Sequence, residues 1–132
     1  MTSAPPVIRL HHGTTLRRAE SLLSTPPNPD FIDPGGDRYS RAEGFSAVIA
    51  STPDIGLGSA ERYARLKSGN FPNEGGPVIL EVEVPVWIVD ILRNDPFAGM
   101  IVASGEVRFE PDLGLRELQQ AWPTLTKRIL PL

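Results

Sequence analysis

The chain has 132 residues, a length that indicates one domain able to bury about two-thirds of its unfolded surface. Its hydrophobic fraction of 40% is typical of a globular protein, and its formal charge of −3 argues against non-specific binding to nucleic acid. The absence of cysteine excludes disulfides and thiolate chemistry. Residues 1–6 do not resemble a signal peptide, and no apolar run approaches the ~18 residues of a membrane span, so a cytoplasmic protein with no membrane partner is expected.

The first predicted elements are a strand and a helix joined by a polar turn. An apolar run over 7–11 predicts the strand, and Thr14 or Thr15 is a suitable N-cap for a helix that continues to about Ser24. The proline- and glycine-rich residues 25–43 predict a long loop, which is either a lid over a site or a disordered insertion. Residues 1–6 are expected to form a loose terminus.

The remainder of the chain predicts one more helix in its first half and then mainly strands. Predicted in order are a strand over 44–51, a turn over 53–58, a helix over 59–68, a strand over 78–84, an apolar segment over 87–92 that is either strand or helical turn, strands over 100–103 and 106–110, a helix over 115–122 and a last strand within 124–132. This order indicates an α+β fold in a single domain over 1–132.

Both histidines of the chain lie at the end of the first predicted strand. His12 could hydrogen-bond a ribose hydroxyl, or it could be a partly exposed or capping histidine. Gly13 allows close approach of a ligand to the backbone, or it simply makes a turn. Because His11 and His12 are adjacent in a strand, their side chains point to opposite faces and cannot both bind one ion, so no metal site is predicted.

Two later residues are further candidates for chemistry. Glu106 begins a strand after a glycine turn, where a carboxylate can stabilise positive charge on a sugar, although an exposed edge-strand charge is the commoner case. Tyr63 lies within a helix among small residues and could stack on a flat ligand or pack in the core. Glu81 and Glu83 share one face of a regular strand and are expected to be solvated.

Taken together, these segments resemble the ADP-ribosyltransferases of the diphtheria-toxin and poly-ADP-ribose-polymerase type. The resemblance rests on the chain order over 7–112: a strand that ends in His-Gly-Thr, a Gly-Phe-Ser strand, a helix with serine and tyrosine, and a late strand that carries glutamate. It implies small mixed or antiparallel sheets that form a split β core, flanked by short helices around an NAD cleft.

Residue by residue, the resemblance implies a division of roles. Glu106 is similar to the catalytic glutamate, His12 to the histidine that holds a ribose hydroxyl, and Gly13 to the glycine whose backbone binds the nicotinamide amide. Ser46 stands where the family has tyrosine. The other residues implied to bind NAD are Thr14, Phe45, Ser59 and Tyr63.

The implied function is cleavage of the bond between nicotinamide and ribose in NAD, with transfer of ADP-ribose to an unknown acceptor. That acceptor is a protein, a nucleic acid, a small molecule or water, and water would make the chain an NAD glycohydrolase. NAD is the substrate, and no metal is implied. A toxin-type enzyme of this kind would have an antitoxin or immunity partner.

Two alternatives differ in their chemistry. An RNA 2′-phosphotransferase also begins with a His-Gly-Thr segment and uses NAD, but it relies on a basic surface, which the charge of −3 does not favour. A non-catalytic module would bind a nucleotide or a peptide in the same cleft, and the serine at position 46 favours it.

Overall fold

The sheet begins with a nine-residue strand, β1, in the computed structural model of this chain. The structure describes residues 6–27, 44–50 and 53–132, with the backbone alone over 53–59. Within these ranges the elements are β1 (Val7–Thr15), α1 (Leu16–Ser24), β2 (Phe45–Ile49), α2 (Pro53–Asn70), β3 (Pro77–Pro85), α3 (Val86–Arg93), α4 (Pro96–Ala103), β4 (Glu106–Phe109), α5 (Leu115–Ala121), a 3-10 turn (Trp122–Thr124) and β5 (Lys127–Pro131).

The strands form one antiparallel sheet in the order β4-β2-β1-β3-β5. Residues paired directly across antiparallel strands share a face of the sheet, so the pairing assigns each side chain to one of two faces. One face carries the main core, which includes Leu10, Phe45, Leu80 and Trp122. The other face is covered in part by α2, because a Cβ atom on Gly13 would overlap the carbonyl oxygen of Ala60 and lie 2.6 Å from the amide nitrogen of Ala64.

The α+β class is confirmed, and so are most of the predicted elements. β1 continues through Gly13 to Thr15, and the Thr15 hydroxyl caps α1 by accepting from the Arg18 amide at 3.4 Å. Strands are present where 78–84 and 106–110 predicted them, and the chain ends in β5. The ambiguous segment over 87–92 is helical and lies within α3.

Two predictions of local structure are wrong. The predicted strand over 100–103 is the second half of α4, which Asp95 caps by accepting from the amides of Phe97 and Ala98, with Pro96 at the first helical position. The predicted turn over 53–58 belongs to α2, which also begins at a proline. Apart from residues 25–27, the predicted loop over 25–43 lies outside the described residues, as do residues 1–5 of the terminus.

The expectation for Glu81 is also wrong, because this carboxylate is buried on the face that α2 covers in part. It is 7% exposed, whereas Glu83 remains partly exposed and pairs with Arg9 at 3.6 Å. Among the helices in the described part of the chain, none is both long and apolar enough to cross a membrane.

Candidate functional site

The sheet opens between β1 and β2. These strands pair at only two positions, Leu10 with Ile49 and His11 with Val48. Beyond His11, β1 stays paired with β3 as far as Thr15, while β2 stays paired with β4. The backbone pairing of β1 with β2 therefore ends before His12 and Gly13, and we call the region between the two strands at these residues the β1–β2 seam.

The side chain of His12 is turned into this seam. Its Nδ1 donates a hydrogen bond to the carbonyl oxygen of Ser46 at 2.7 Å, and its ring stacks on Phe45 with centroids 4.5 Å apart. Burial lowers the pKa of His12 to about 4, and Lys67 lowers it further while the bond to Ser46 opposes the shift. His12 is therefore neutral at pH 7, with hydrogen on Nδ1 and a lone pair on Nε2 that can accept a hydrogen bond from a hydroxyl.

The peptide groups of Gly13 face the same seam. The Arg9 carbonyl accepts a hydrogen bond from the amide of Ala50, which follows β2, so the peptide groups of Arg9 face β2. In a strand, the peptide groups of every second residue point to the same side, and Gly13 is four residues after Arg9. The peptide groups of Gly13 therefore also face β2. Gly13 lies beyond the last pair with β2 in the described residues. Its N–H donor and C=O acceptor are positioned to bind a group that offers both, such as a primary carboxamide.

The other predicted NAD-binding residues are placed less favourably. Thr14 is buried among core side chains and offers no surface to a ligand. Phe45 is 3% exposed between His12 and Trp122, so it supports the histidine ring and has no free face for nicotinamide. Tyr63 is 48% exposed on α2, next to Ala64, which packs on Gly13. Ser59 lies in α2, but its side chain is outside the described part of the chain.

Glu106 lies at the apex of the seam. It pairs with Val48, the same β2 residue that makes the last pair with His11. Its carboxylate is partly exposed, and its Oε1 lies 3.3 Å from Nε of Arg108. The register places Glu106 on the face that carries His11, whereas His12 belongs to the opposite face and reaches the seam by turning between the strands.

The N-terminus of α1, next to the seam, does not offer free amides. The amides of Leu16 and Arg17 donate to the carbonyls of Gly76 and Glu74 at 3.0 Å, and that of Arg18 donates to Thr15. The Arg18 side chain also donates to the Glu74 carboxylate at 2.7 Å, which lowers the pKa of Glu74. An anion would have to displace these bonds to bind at this helix N-terminus.

Sequence reasoning missed a row of ionisable groups in which a histidine and a glutamate are buried. His11, Glu81 and Arg128 pair directly across β1, β3 and β5. The Glu81 carboxylate accepts from Nε2 of His11 at 2.9 Å and from Nε of Arg128 at 2.7 Å. The sequence does contain a signal for this row: Arg9 and His11 are two residues apart in β1, and Glu81 and Glu83 are two residues apart in β3. Only the pairing of the two strands shows that these basic and acidic side chains lie opposite each other.

Burial alone would raise the pKa of Glu81, but the hydrogen bonds from His11 and Arg128 outweigh it and hold the pKa below its ordinary value. Within the described residues, no group of three or more histidine, aspartate or glutamate side chains is arranged to hold a metal ion.

Comparison with protein-family models, with curated proteins and with solved structures finds no match to this chain.

Proposed function

We propose that this chain is an ADP-ribosyltransferase-like enzyme that binds NAD at the β1–β2 seam and cleaves the bond between nicotinamide and ribose. The observation that carries the proposal is the chemistry gathered at the seam. A neutral histidine offers an acceptor nitrogen, a glycine offers peptide groups beyond the last β1–β2 pair in the described residues, and the Glu106 carboxylate lies at the apex.

Each of these groups suits one part of the substrate. Nε2 of His12 accepts a hydrogen bond from a ribose hydroxyl, and the peptide groups of Gly13 bind the carboxamide of nicotinamide. The nicotinamide ring already carries a positive charge, so it leaves with the bonding electron pair without being protonated. Glu106 stabilises the positive charge that develops on the ribose, which is the effect that an oriented carboxylate provides best in a partly buried site.

The decisive experiment compares Glu106→Gln with the unmodified protein. We expect nicotinamide release from NAD to fall by about 10²–10³-fold, the usual loss when one charge-stabilising group is removed, while calorimetry shows NAD binding retained. Glu110→Gln is the matched control, because Glu110 follows β4 and is exposed. Absence of nicotinamide release from the unmodified protein, or equal rates for Glu106→Gln, would contradict the proposal.

A second candidate is a nucleotide-binding module of the same fold without catalysis. It is favoured by the pairing of Glu106 with Arg108, which competes for the carboxylate, and by the origin of His12 and Glu106 on opposite faces of the sheet. Saturable NAD binding without any nicotinamide release would support this function over the first.

A further inference from the structure

The proposed reaction does not use the buried imidazole of His11. It is 6% exposed, and its Nε2 lies 2.9 Å from Oε2 of Glu81. The other oxygen of the same carboxylate accepts from Arg128, whose guanidinium is exposed at the sheet edge. This ion pair keeps Glu81 ionised, so the carboxylate acts on His11 as an acceptor.

The contact with Glu81 determines which nitrogen of His11 carries hydrogen. An ionised carboxylate only accepts, so Nε2 carries the hydrogen and Nδ1 of the neutral ring carries a lone pair. Within the described residues, buried Nδ1 has no hydrogen-bond partner. A buried acceptor without a partner is uncommon, and it is costly unless a ligand or water supplies the missing donor.

Ring geometry gives the direction in which Nδ1 points. The two ring nitrogens point outwards in widely divergent directions, and Nε2 faces Glu81 on β3. Nδ1 is therefore directed away from Glu81. On the other side of β1, the same row continues through Val48 to Glu106. Adjacent strands are about 4.8 Å apart, so the backbones of His11 and Glu106 are separated by roughly 10 Å, with both side chains on one face of the sheet.

Enzymes that attack a sugar directly with water leave room for the nucleophile between the catalytic base and the sugar. In the row formed by His11, Val48 and Glu106, the apolar side chain of Val48 cannot take a proton. Of these three residues, only His11 and Glu106 can therefore act on an attacking hydroxyl or on the sugar.

We propose that His11 is the general base for the reaction assigned above to the β1–β2 seam; this inference rests on that proposed function. Nδ1 takes the proton of the attacking hydroxyl as its oxygen bonds to the ribose carbon. The bond from that carbon to nicotinamide breaks, and its electron pair neutralises the ring. Glu81 is a positioning residue, which holds the tautomer of His11 and stabilises the imidazolium that forms.

His11 is buried on the face that α2 covers in part, so NAD can reach Nδ1 only if its binding moves α2 away from this face. Glu106→Gln allows this to be measured without turnover. We expect NAD to accelerate hydrogen exchange of the α2 amides in that variant, and unchanged exchange in the presence of saturating NAD would overturn the proposal.

The main test uses water as the acceptor and measures nicotinamide released from NAD. We expect His11→Gln and Glu81→Gln to lower kcat by about 10²-fold or more with KM within about twofold, the effect of losing a base and not a binding contact. Glu83→Gln is the matched control, since it lies two residues along β3 on the same face and pairs with Arg9. It is expected to behave as the unmodified protein.

The pH profile separates a base from a structural residue. In the unmodified protein kcat should rise with pH as the base loses its proton, and His11→Gln should abolish that rise. The rate does not depend on pH in this way if His11 only supports the fold. A low kcat in His11→Gln with the pH-dependent rise retained therefore overturns the inference.

The two proposals fail in different ways. If the unmodified protein releases no nicotinamide, the proposed function fails and this inference fails with it. If release depends on Glu106 but His11→Gln keeps both rate and pH profile, only the role of His11 is wrong. Nitrogen NMR on the unmodified protein gives a readout that needs no variant to fold, and a protonated Nδ1 at neutral pH would contradict the assignment.

Discussion

Neighbouring histidines in β1 have opposite environments although they differ by one position. His11 donates to a buried carboxylate, whereas His12 contacts a carbonyl oxygen and an aromatic ring in a site where burial disfavours charge. The environment, and not the residue type, determines which chemistry each ring can perform.

Acid should destabilise the fold through His12. Its pKa is about 4 in the native state and about 6.5 when unfolded, so between these values the unfolded chain binds the extra proton. The contribution of His12 is complete above pH 6.5 and is lost as the pH falls towards 4, by at most roughly 3 kcal/mol. His12 as a whole is partly exposed, so the expected loss is smaller than this bound.

Urea unfolding between pH 4 and 7 measures this effect, with NMR titration of His12 as the direct check of its pKa. His12→Gln should show a shallower dependence of the unfolding free energy on pH. Glu81 also titrates in acid, but it is present in both proteins, so the difference between them isolates His12. Equal slopes for the two proteins, or an NMR pKa near 6.5, would show that the ring is not desolvated.

Among the secondary-structure elements, those with a clear periodicity or cap could be predicted from the sequence. The alternation in β3 and the threonine before α1 are local signals, and both elements are present. Helix α4 was mistaken for a strand because it is apolar on all sides, with Phe97 and Met100 exposed, so it lacks the periodicity of an amphipathic helix. Its cap, Asp95, was the local signal that identifies it.

The candidate site was less predictable than the elements. The sequence indicated His12, Gly13 and Glu106 as separate candidates, but the seam exists only because β1 and β2 stop pairing after His11. Register is set by how whole strands pack, and a shift of one residue would exchange the faces of His11 and His12. The partnership of His11 with Glu81 was unpredictable for the same reason, since 70 positions separate the two residues.

The contact between α2 and β1 requires glycine at position 13. Gly13→Ala would place a methyl group against the helix backbone, which cannot move as a flexible side chain can, and such overpacking typically costs about 1–3 kcal/mol. Gly69→Ala is the control, since nothing lies within 4 Å of the new methyl group near the end of α2. Alanine there should stabilise the helix by up to about 1 kcal/mol. Thermal unfolding of both variants measures this contrast, and a Gly13→Ala protein as stable as the original would show that α2 does not pack closely on β1.

Across the whole molecule, the C-terminal third is joined to the seam through Trp122. Its indole N–H donates to the carbonyl of Leu22 in α1 at 2.8 Å, and its ring meets Phe45 edge-on at 5.5 Å. Phe45 in turn stacks on His12. Lys127 completes the contact by donating to the Trp122 carbonyl at 2.6 Å, so β5 is held next to the same side chain.

Loss of this indole should therefore affect both stability and the candidate site. Trp122→Ala is expected to destabilise the fold by about 3–5 kcal/mol, a large part of the 5–15 kcal/mol available to a domain. Trp122→Phe keeps a ring but leaves the Leu22 carbonyl without its donor, which costs roughly 1–3 kcal/mol. Trp87→Phe is the matched control, because Trp87 is 57% exposed on α3 and its replacement should change stability by less than about 0.5 kcal/mol.

Urea unfolding gives the three free energies, and the NMR signal of His12 reports on the seam. In Trp122→Phe the protein should remain folded while the His12 ring signal shifts, because the support of Phe45 has changed. If Trp122→Ala lost less than about 1 kcal/mol, the C-terminal elements would not be part of the same cooperative unit as β1 and β2. If His12 kept its signal in Trp122→Phe, the aromatic contacts would not transmit packing from α1 and α5 to the seam.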